Sequence, residues 1–344
     1  MKPLVSILIP AYNAGEWIED TLWSAVGQNW DRKEIIVVDD GSTDETLAIA
    51  RQFESGSVRV FTQENQGAAA ARNRALSLSE GDYIQWLDAD DLLSSDKVAL
   101  QMEGLRQLAS KRTLSSSPWG RFLFRSQRSE FTPTPLWCDL PPVEWLLRKM
   151  GQNLHMQTAT WLVSRELTEA AGPWDTQLLG DDDGEYFCRV LLASDGVRFV
   201  PDAKVYYRAS GPSSLSFIGH SHKKLEAQWR SMQLHVGYLR SLEDSERTRT
   251  ACVQYLQNWL IYFYPERLDV VRQAHQLAAD VGGKLEVPRL SWKYSWIEKV
   301  FGWRVAKRAQ VFLPAVRWSV ERFGDKLLAM PGRQARKRLS HTTN

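Results

Sequence analysis

A doubly wound, mostly parallel α/β sheet with a helical C-terminal extension is the fold this sequence predicts, and three observations carry it. Over residues 4–87, short, mainly apolar runs alternate with amphipathic segments of helix length, as expected of strands covered on both faces by crossover helices. Three of those runs end in polar clusters: Pro10-Ala11-Tyr12-Asn13, Asp39-Asp40-Gly41-Ser42 and Asp88-Ala89-Asp90-Asp91. From residue 222 onward strand signals vanish and helical periodicity takes over.

Residues 5–9 (VSILI) form the first buried strand, closed by Pro10. A helix is expected over 16–28, with Trp17, Ile18, Leu22, Ala25 and Val26 on one stripe. Residues 34–38 (EIIVV) repeat the strand pattern, and Ser42 or Thr43 can cap the helix through 47–53, although Asp44 suits that role better. Residues 58–61 are a short strand, 67–78 a strong helix, and 83–87 a fourth strand that stops at three carboxylates. Beyond it we expect a helix at 97–108, a loop at 115–118, a strand at 121–125, a helix at 144–150 and a strand at 158–163. A second acidic cluster, Gly180-Asp181-Asp182-Asp183-Gly184-Glu185, leads into an apolar helix. Residues 197–200 and 205–207 are expected to close the sheet as a strand pair, followed by a flexible Ser210-Gly211-Pro212-Ser213-Ser214. Three helices then cover 223–242, 246–264 and 268–281.

The 344 residues divide into an α/β domain over 1–220, itself halved at about 110, and an extension over 221–344. A hydrophobic content of 43% with 24% charged residues is globular rather than disordered, and a net charge of +2 gives no global field for nucleic acid. Cys138, Cys188 and Cys252 are odd in number and widely spaced, which suits a reducing cytoplasm better than a disulfide framework. No run of about 18 apolar residues occurs, so a spanning helix is not expected. The extension is locally basic: from Lys293 to Arg338 it holds twelve Lys and Arg against three acids. Its Trp292, Trp296, Trp303 and Trp318 fit either helices lying on an anionic membrane surface or an ordinary helical cap. His220 and His222, followed by Lys223 and Lys224, read as a solvated helix start rather than a metal pair.

In a doubly wound sheet, ligands bind beyond the carboxyl ends of the strands. The three polar clusters would meet there. Carboxylates crowded at a strand end repel one another unless a cation sits among them. All-oxygen ligands suit a hard ion, Mg²⁺ or Mn²⁺, shared with substrate phosphates. The bland alternative is an acidic turn leading into a capped helix. Neither a GxGxxG nor a GxxxxGK[ST] follows the first strand, which excludes the dinucleotide fingerprint and the Walker loop.

Taken in order, Pro10-Ala11-Tyr12-Asn13, VVDDGSTDET, Asn65-Gln66-Gly67 with Ala71-Arg72-Asn73, WLDADD and the later Asp pair before an aromatic helix resemble the family 2 glycosyltransferases. These are inverting enzymes of the GT-A fold that use nucleotide sugars. The resemblance covers residues 4–215. It implies that Tyr12, beside Pro10 and Asn13, packs on the nucleotide base and that Asp40 accepts a hydrogen bond from uracil. Arg72 would reach the diphosphate or stand as a solvated helix residue. Asp88 and Asp90, flanking Ala89, match the family's D-x-D: Asp88 approaches the ribose and Asp90 ligates Mn²⁺ or Mg²⁺, with Asp88 a second ligand. Asp91 has no assigned role. The Arg six positions after the family's base falls on Arg189, which makes Asp182-Asp183 the catalytic pair and Asp183 the base. Three departures stand out: Asp181 makes the pair a triple, Asp replaces the commoner Glu at 182, and Gly184 stands where an aromatic is frequent.

The implied activity is a metal-dependent hexosyltransferase moving a sugar from a UDP-linked donor to a hydroxyl of a glycan or lipid-linked acceptor. Polysaccharide or cell-envelope synthesis is the expected setting, in the cytoplasm or peripherally on the inner face of the membrane. With no Q-x-x-R-W motif, a single-addition enzyme is favoured over a processive synthase. The alternatives are an inactive nucleotide-sugar-binding protein, or a phosphatase of the haloacid dehalogenase type suggested by VVDDGST. The second needs Asp-x-Asp where this chain has adjacent acids.

Overall fold

The computed structural model describes residues 2–108, 110, 112–209 and 221–340. The segment 210–214, His220 and the side chain of Trp318 lie outside the described residues. The first half runs β1 (Val5–Ala11), α1 (Ile18–Val26), β2 (Lys33–Asp39), α2 (Thr46–Arg51), β3 (Val58–Thr62), α3 (Ala68–Ser77) and β4 (Tyr83–Trp86). Next come β5 (Leu92–Leu93), α4 (Lys97–Arg106), β6 (Thr113–Ser116), β7 (Trp119–Phe122), α5 (Pro142–Gly151), β8 (Val163–Ser164), α6 (Arg165–Ala171), α7 (Asp182–Ala193), β9 (Gly196–Phe199) and β10 (Val205–Arg208). The extension holds α8 (His222–Leu242), α9 (Glu246–Phe263), α10 (Leu268–Asp280), α11 (Ser295–Phe301) and α12 (Trp303–Ser340).

The main sheet has the order β3-β2-β1-β4-β8. The first four strands are parallel, with Ile7 opposite Ile35 and Leu8 opposite Trp86, and β8 closes the edge antiparallel to β4. Ile7, Leu8 and Ile9 on β1 and residues 35–38 on β2 have no exposed surface. Each such aliphatic side chain contributes about 1.5–3 kcal/mol, which is why the apolar runs become central strands. Because β1 lies between β2 and β4, the three polar clusters become neighbours where the strand order reverses.

The later strands depart from expectation. Residues 115–118 were expected as a loop, yet Ser115 and Ser116 are buried in β6, which pairs in parallel with β9. Serine is small enough to fill this narrow seam, and the Ser115 amide donates to the Leu162 carbonyl at 3.0 Å. The strand expected over 158–163 is instead a 3₁₀ turn, Thr158–Thr160, followed by the two residues of β8. The Gln157 side chain accepts from the Ala159 amide at 2.6 Å and Thr160 Oγ1 donates back to the Gln157 carbonyl at 2.6 Å, which curls the chain. The anticipated closing pair does not form either: β9 pairs with β6, while β10 sits between β5 and β7. Each completes an earlier strand with a free edge.

The extension is not loosely attached. One continuous hydrophobic cluster runs from Leu8 and Trp86 in the sheet, through Trp161, Trp174 and Tyr186, to Trp229, Leu256 and Val281 in α8, α9 and the end of α10. Among the described residues no helix is long and apolar enough to cross a membrane. The three cysteines are free thiols, and Cys188 and Cys252 are buried.

Candidate functional site

At the carboxyl end of β1, Pro10 pairs with Val38 and leads into Tyr12, which is 52% exposed. It is therefore not a core tyrosine. Asn13 adopts φ 48°, a left-handed conformation that Asn tolerates. Its amide donates to Ser42 Oγ at 2.9 Å and its Oδ1 accepts from the Thr43 amide at 2.9 Å, tying the end of β1 to the loop after β2. The residue at the N-cap of α2 is Glu45, not Ser42, Thr43 or Asp44, although Asp44 accepts from the first amide of the helix, that of Thr46, at 2.9 Å.

Asp40 is 2% exposed. Its Oδ1 accepts from Gln63 Nε2 at 2.7 Å and from the Gln66 amide at 3.0 Å, while Oδ2 accepts from the Gly67 amide at 2.8 Å. A carboxylate can accept about four such bonds, so this geometry leaves Oδ2 one further lone pair. Gly67, at φ 91°, makes the turn that lets its amide reach Asp40.

Asp88, Ala89, Asp90 and Asp91, one residue beyond β4, divide their work. Asp88 and Asp90 are partly exposed, with the small Ala89 tucked between them and its carbonyl accepting from Thr21 Oγ1 at 3.0 Å. Asp91, by contrast, is fully buried. Its Oδ2 accepts from Gln157 Nε2 at 2.5 Å and its Oδ1 from the Arg208 amide at 2.8 Å. Burial, with Asp90 and Asp88 close by, raises this carboxyl well above the usual range. Asp91 is a brace between the acidic loop, the 3₁₀ turn and β10. Arg208 completes that brace: sandwiched between Trp17 and Phe122 at 4.3 and 4.5 Å, its Nε donates to the Asp90 carbonyl at 2.7 Å.

Arg72, on α3, is 5% exposed and therefore not a solvated helix residue. One guanidinium nitrogen donates to Asp88 Oδ1 at 2.9 Å, another to Asp182 Oδ2 at 2.7 Å, and the group lies 4.4 Å from the Trp174 ring. Its buried Nε has no protein partner. This bridge joins the two acidic clusters, Arg72 and Asp182 being 110 residues apart in the sequence. Burial outweighs the pull of Arg72 and pushes the Asp182 carboxyl up to about 6, with Asp183 and Asp88 adding to the rise.

The triple Asp points three ways. Asp182, in the first turn of α7, turns to Arg72. Asp183 accepts from Thr158 Oγ1 at 3.3 Å and, together with Asp181, lines a small cavity with Lys149, His155, Trp161 and Phe187. Asp181 turns to α8, where Ser231 Oγ and Gln228 Nε2 donate to its Oδ2 at 2.6 and 3.2 Å. Sequence reasoning missed Asp181, Arg208, Gln157 and Thr158. The three Asp were visible as a cluster, but nothing local says which way each one faces.

Three acids, Asp88, Asp182 and Asp183, surround the Arg72 guanidinium, and all three contribute to its raised basicity. That surplus of hard oxygen donors beside partly exposed Asp90 fits a divalent cation. Among the described residues no three His, Cys, Asp or Glu converge to hold an ion unaided. Two carboxylates with substrate phosphates would be the ligand set, the usual arrangement for Mg²⁺.

Residues 6–121 match the family model for glycosyl transferase family 2. An uncharacterized glycosyltransferase of Rickettsia typhi is 38% identical over 264 residues, covering 76% of this chain and 80% of that protein. TuaG of Bacillus subtilis, named as a teichuronic acid biosynthesis glycosyltransferase, is 47% identical over 105 residues, 30% of this chain. The chain spans less than half the length of TuaG and of two further relatives, with 42%, 43% and 16% of them covered. Among solved structures, Staphylococcus aureus TarS 1–349 in complex with UDP-GlcNAc has a TM-score of 0.65 at 17% identity, with 81% of each chain covered. The mannosyltransferase PcManGT of Pyrobaculum calidifontis, in complex with GDP-Man and Mn²⁺, has a TM-score of 0.52 at 18% identity, covering 95% of this chain and 88% of that one. At these identities the likeness establishes the fold, a GT-A type α/β architecture with a helical C-terminal part.

Proposed function

This chain belongs to glycosyl transferase family 2, and from that premise we propose that it is a metal-dependent, inverting hexosyltransferase using a UDP-sugar. The observation that carries the reading is the Arg72 bridge, which brings the Asp182-Asp183 pair to Asp88 at the end of β4. A donor diphosphate lying over Asp88 and Asp90 would place its sugar beside Asp183.

In this reading Tyr12 packs on the base, and Asp40 accepts from the uracil ring through its remaining lone pair. Asn13 and Pro10 hold that rim in place. Asp88, Ala89 and Asp90 face the ribose and diphosphate, and the unpartnered Nε of Arg72 supports a role for this residue toward the phosphates. Mn²⁺ or Mg²⁺ held by Asp90 and Asp88 would supply Lewis-acid stabilisation of the departing diphosphate. The acceptor hydroxyl oxygen attacks the anomeric carbon from the face opposite the diphosphate. A new C–O bond forms while the C1–O–phosphate bond breaks, its electron pair leaving with UDP. The hydroxyl proton passes to the Asp183 carboxylate, which Thr158 orients. One displacement inverts the anomeric centre.

The acceptor is a hydroxyl of a glycan, lipid-linked or otherwise, and we assign the enzyme to polysaccharide or cell-envelope synthesis in the cytoplasm. The free thiols support that compartment. Exposed apolar side chains on and around α11 and α12, interleaved with Lys and Arg, support peripheral contact with an anionic bilayer. Residues 1–220 and 221–344 are taken as the catalytic domain and its extension.

A thermal-shift series with UDP, GDP, CMP and dTDP, each with and without Mn²⁺, tests the reading. UDP with Mn²⁺ is expected to raise the melting midpoint most. No shift with any nucleotide would overturn it.

A further inference from the structure

The triple Asp and the glycine that follows it are two halves of one device. Asp181 immediately precedes α7 at φ 54°, a left-handed backbone that a non-glycine residue adopts at a cost of about 1–3 kcal/mol. Something must hold it there. That something is α8, whose Gln228, Ser231, His235 and Tyr238 follow a spacing of three, four and three residues and so share one helix face. This face turns inward: Gln228, Ser231 and His235 are 2%, 0% and 1% exposed. Polar groups so buried need partners. Ser231 and Gln228 donate to Asp181 Oδ2 at 2.6 and 3.2 Å, and Tyr238 Oη donates to Glu185 Oε1 at 2.7 Å, one turn further into α7. Behind them, the His235 ring meets Tyr255 Oη from α9 at 2.9 Å and Ser231 Oγ at 3.5 Å. Gly184 is the counterpart. A Cβ at that position would collide with Asp181 Oδ1 and lie 2.9 Å from its Cγ, so the space an aromatic would need is filled by the Asp181 carboxylate.

We propose that Asp181, gripped by Ser231 and Gln228 of the helical extension and seated over Gly184, is the positioning residue that aims Asp183 at the attacking hydroxyl. The inference rests on Asp183 being the base. Asp181 and Asp183 lie on either side of the first residue of α7, so a rotation of the helix start that released Asp181 would swing Asp183 off its Thr158 contact. The extension thereby completes the catalytic site without touching the donor.

The test uses the full-length protein, Mn²⁺ and an equimolar mixture of UDP-glucose, UDP-galactose, UDP-N-acetylglucosamine and UDP-glucuronic acid. UDP released to water is the readout, since water can stand in for the acceptor hydroxyl at Asp183. Affinity for UDP is measured calorimetrically in parallel. Misplacing a reacting group by about 1 Å costs on the order of 100-fold. The Gln228→Leu, Ser231→Ala double variant and Gly184→Ala are each expected to lose about 10- to 100-fold in turnover with UDP affinity unchanged. Asp181→Asn, which keeps an acceptor toward Ser231 and Gln228, is expected to recover most of what Asp181→Leu loses. In an Asp181→Gly background, adding Gly184→Ala is expected to cost nothing more, because the collision is gone. Loss of turnover in Asp183→Asn with none in the double variant or Gly184→Ala would overturn the positioning role alone. Wild-type turnover in Asp183→Asn would overturn the base assignment and this inference with it. Matching losses of turnover and UDP affinity would also count against it, since they signal general loosening.

Discussion

At the scale of single residues, the site separates side chains that hold from side chains that act. Tyr12 is held by nothing that its exposure reveals, so its removal should cost binding and little else. Tyr12→Ala is expected to weaken UDP by about 2- to 10-fold, the equivalent of an aromatic stacking contact of about 0.5–1.5 kcal/mol, while Tyr12→Phe binds as wild type. Calorimetric titration with UDP and Mn²⁺ decides it, and an unchanged affinity in Tyr12→Ala would remove the residue from the base site. Arg72 is the opposite case. Its guanidinium bonds Asp88 and Asp182 simultaneously and lies on Trp174, a planar fork geometry that lysine cannot reproduce. Arg72→Lys should therefore behave as a loss of function rather than a conservative change, with turnover down at least about tenfold. Arg72→Met, leaving Asp182 and Asp88 without their cation, should destabilise by about 3–5 kcal/mol in a urea titration. Near-wild-type turnover in Arg72→Lys would show that charge alone, without the bridge, is what the site needs.

Among the elements, the sheet and the helices differ in how far the sequence announces them. Strands β1 to β4 were legible because a parallel strand covered on both faces is mainly apolar, and residues 7–9 and 35–38 are wholly so. The same logic made the shared rim legible, since polar residues directly after such runs have nowhere else to go. β6 and β8 were not legible. The serines of β6 carry no strand signal, and the turn at Thr158–Thr160 depends on the Gln157 side chain folding back on its own backbone. The inward face of α8 was hidden for a related reason: Gln228, Ser231 and His235 in a helix look like a solvated face until Asp181 is found opposite them. Buried Lys97 at the start of α4 is another residue that sequence alone would place in water. It is fully buried against Gln85, and burial lowers its basicity well below the ordinary lysine value. The unfolded chain binds this proton up to about pH 10.4 while the folded chain releases it earlier. Folding stability should accordingly rise with pH across the interval between the lowered folded value and the unfolded one, by up to about 1.4 kcal/mol per pH unit. Lys97→Met should flatten that slope and raise the melting midpoint at neutral pH, with the advantage over wild type shrinking toward pH 10. A midpoint lowered equally at pH 7 and pH 10 would mean that the contact with Gln85 matters more than the buried charge.

For the molecule as a whole, the question is what the end of the chain faces. α12 is anchored to the α/β half, where Asp325 accepts from Arg125 Nε at 2.7 Å and from the Phe124 amide at 3.0 Å, and within the extension Lys307 Nζ pairs with Glu266 at 2.6 Å. Those contacts use one side of the helix. Elsewhere on α11, α12 and the turn before α11, Trp292, Trp296, Phe301, Phe312 and Phe323 are each more than 60% exposed. Large aromatic groups left in water at this density, among basic residues, have a ready explanation in a bilayer whose headgroups are anionic and whose interface accepts Trp and Phe. Electrostatic attraction and apolar insertion can be separated experimentally, because only the first is screened by salt. The intact protein is expected to sediment with vesicles of phosphatidylglycerol and phosphatidylcholine, to bind pure phosphatidylcholine weakly, and to lose about half or more of its binding between low salt and 0.5 M NaCl. Trp292→Gln, Trp296→Gln, Phe301→Gln should leave the melting midpoint within a degree or two, since these side chains pack on little, yet abolish sedimentation at every salt concentration. Binding by the triple variant equal to wild type would assign the aromatic surface to something other than lipid and leave the basic residues as a solvated face.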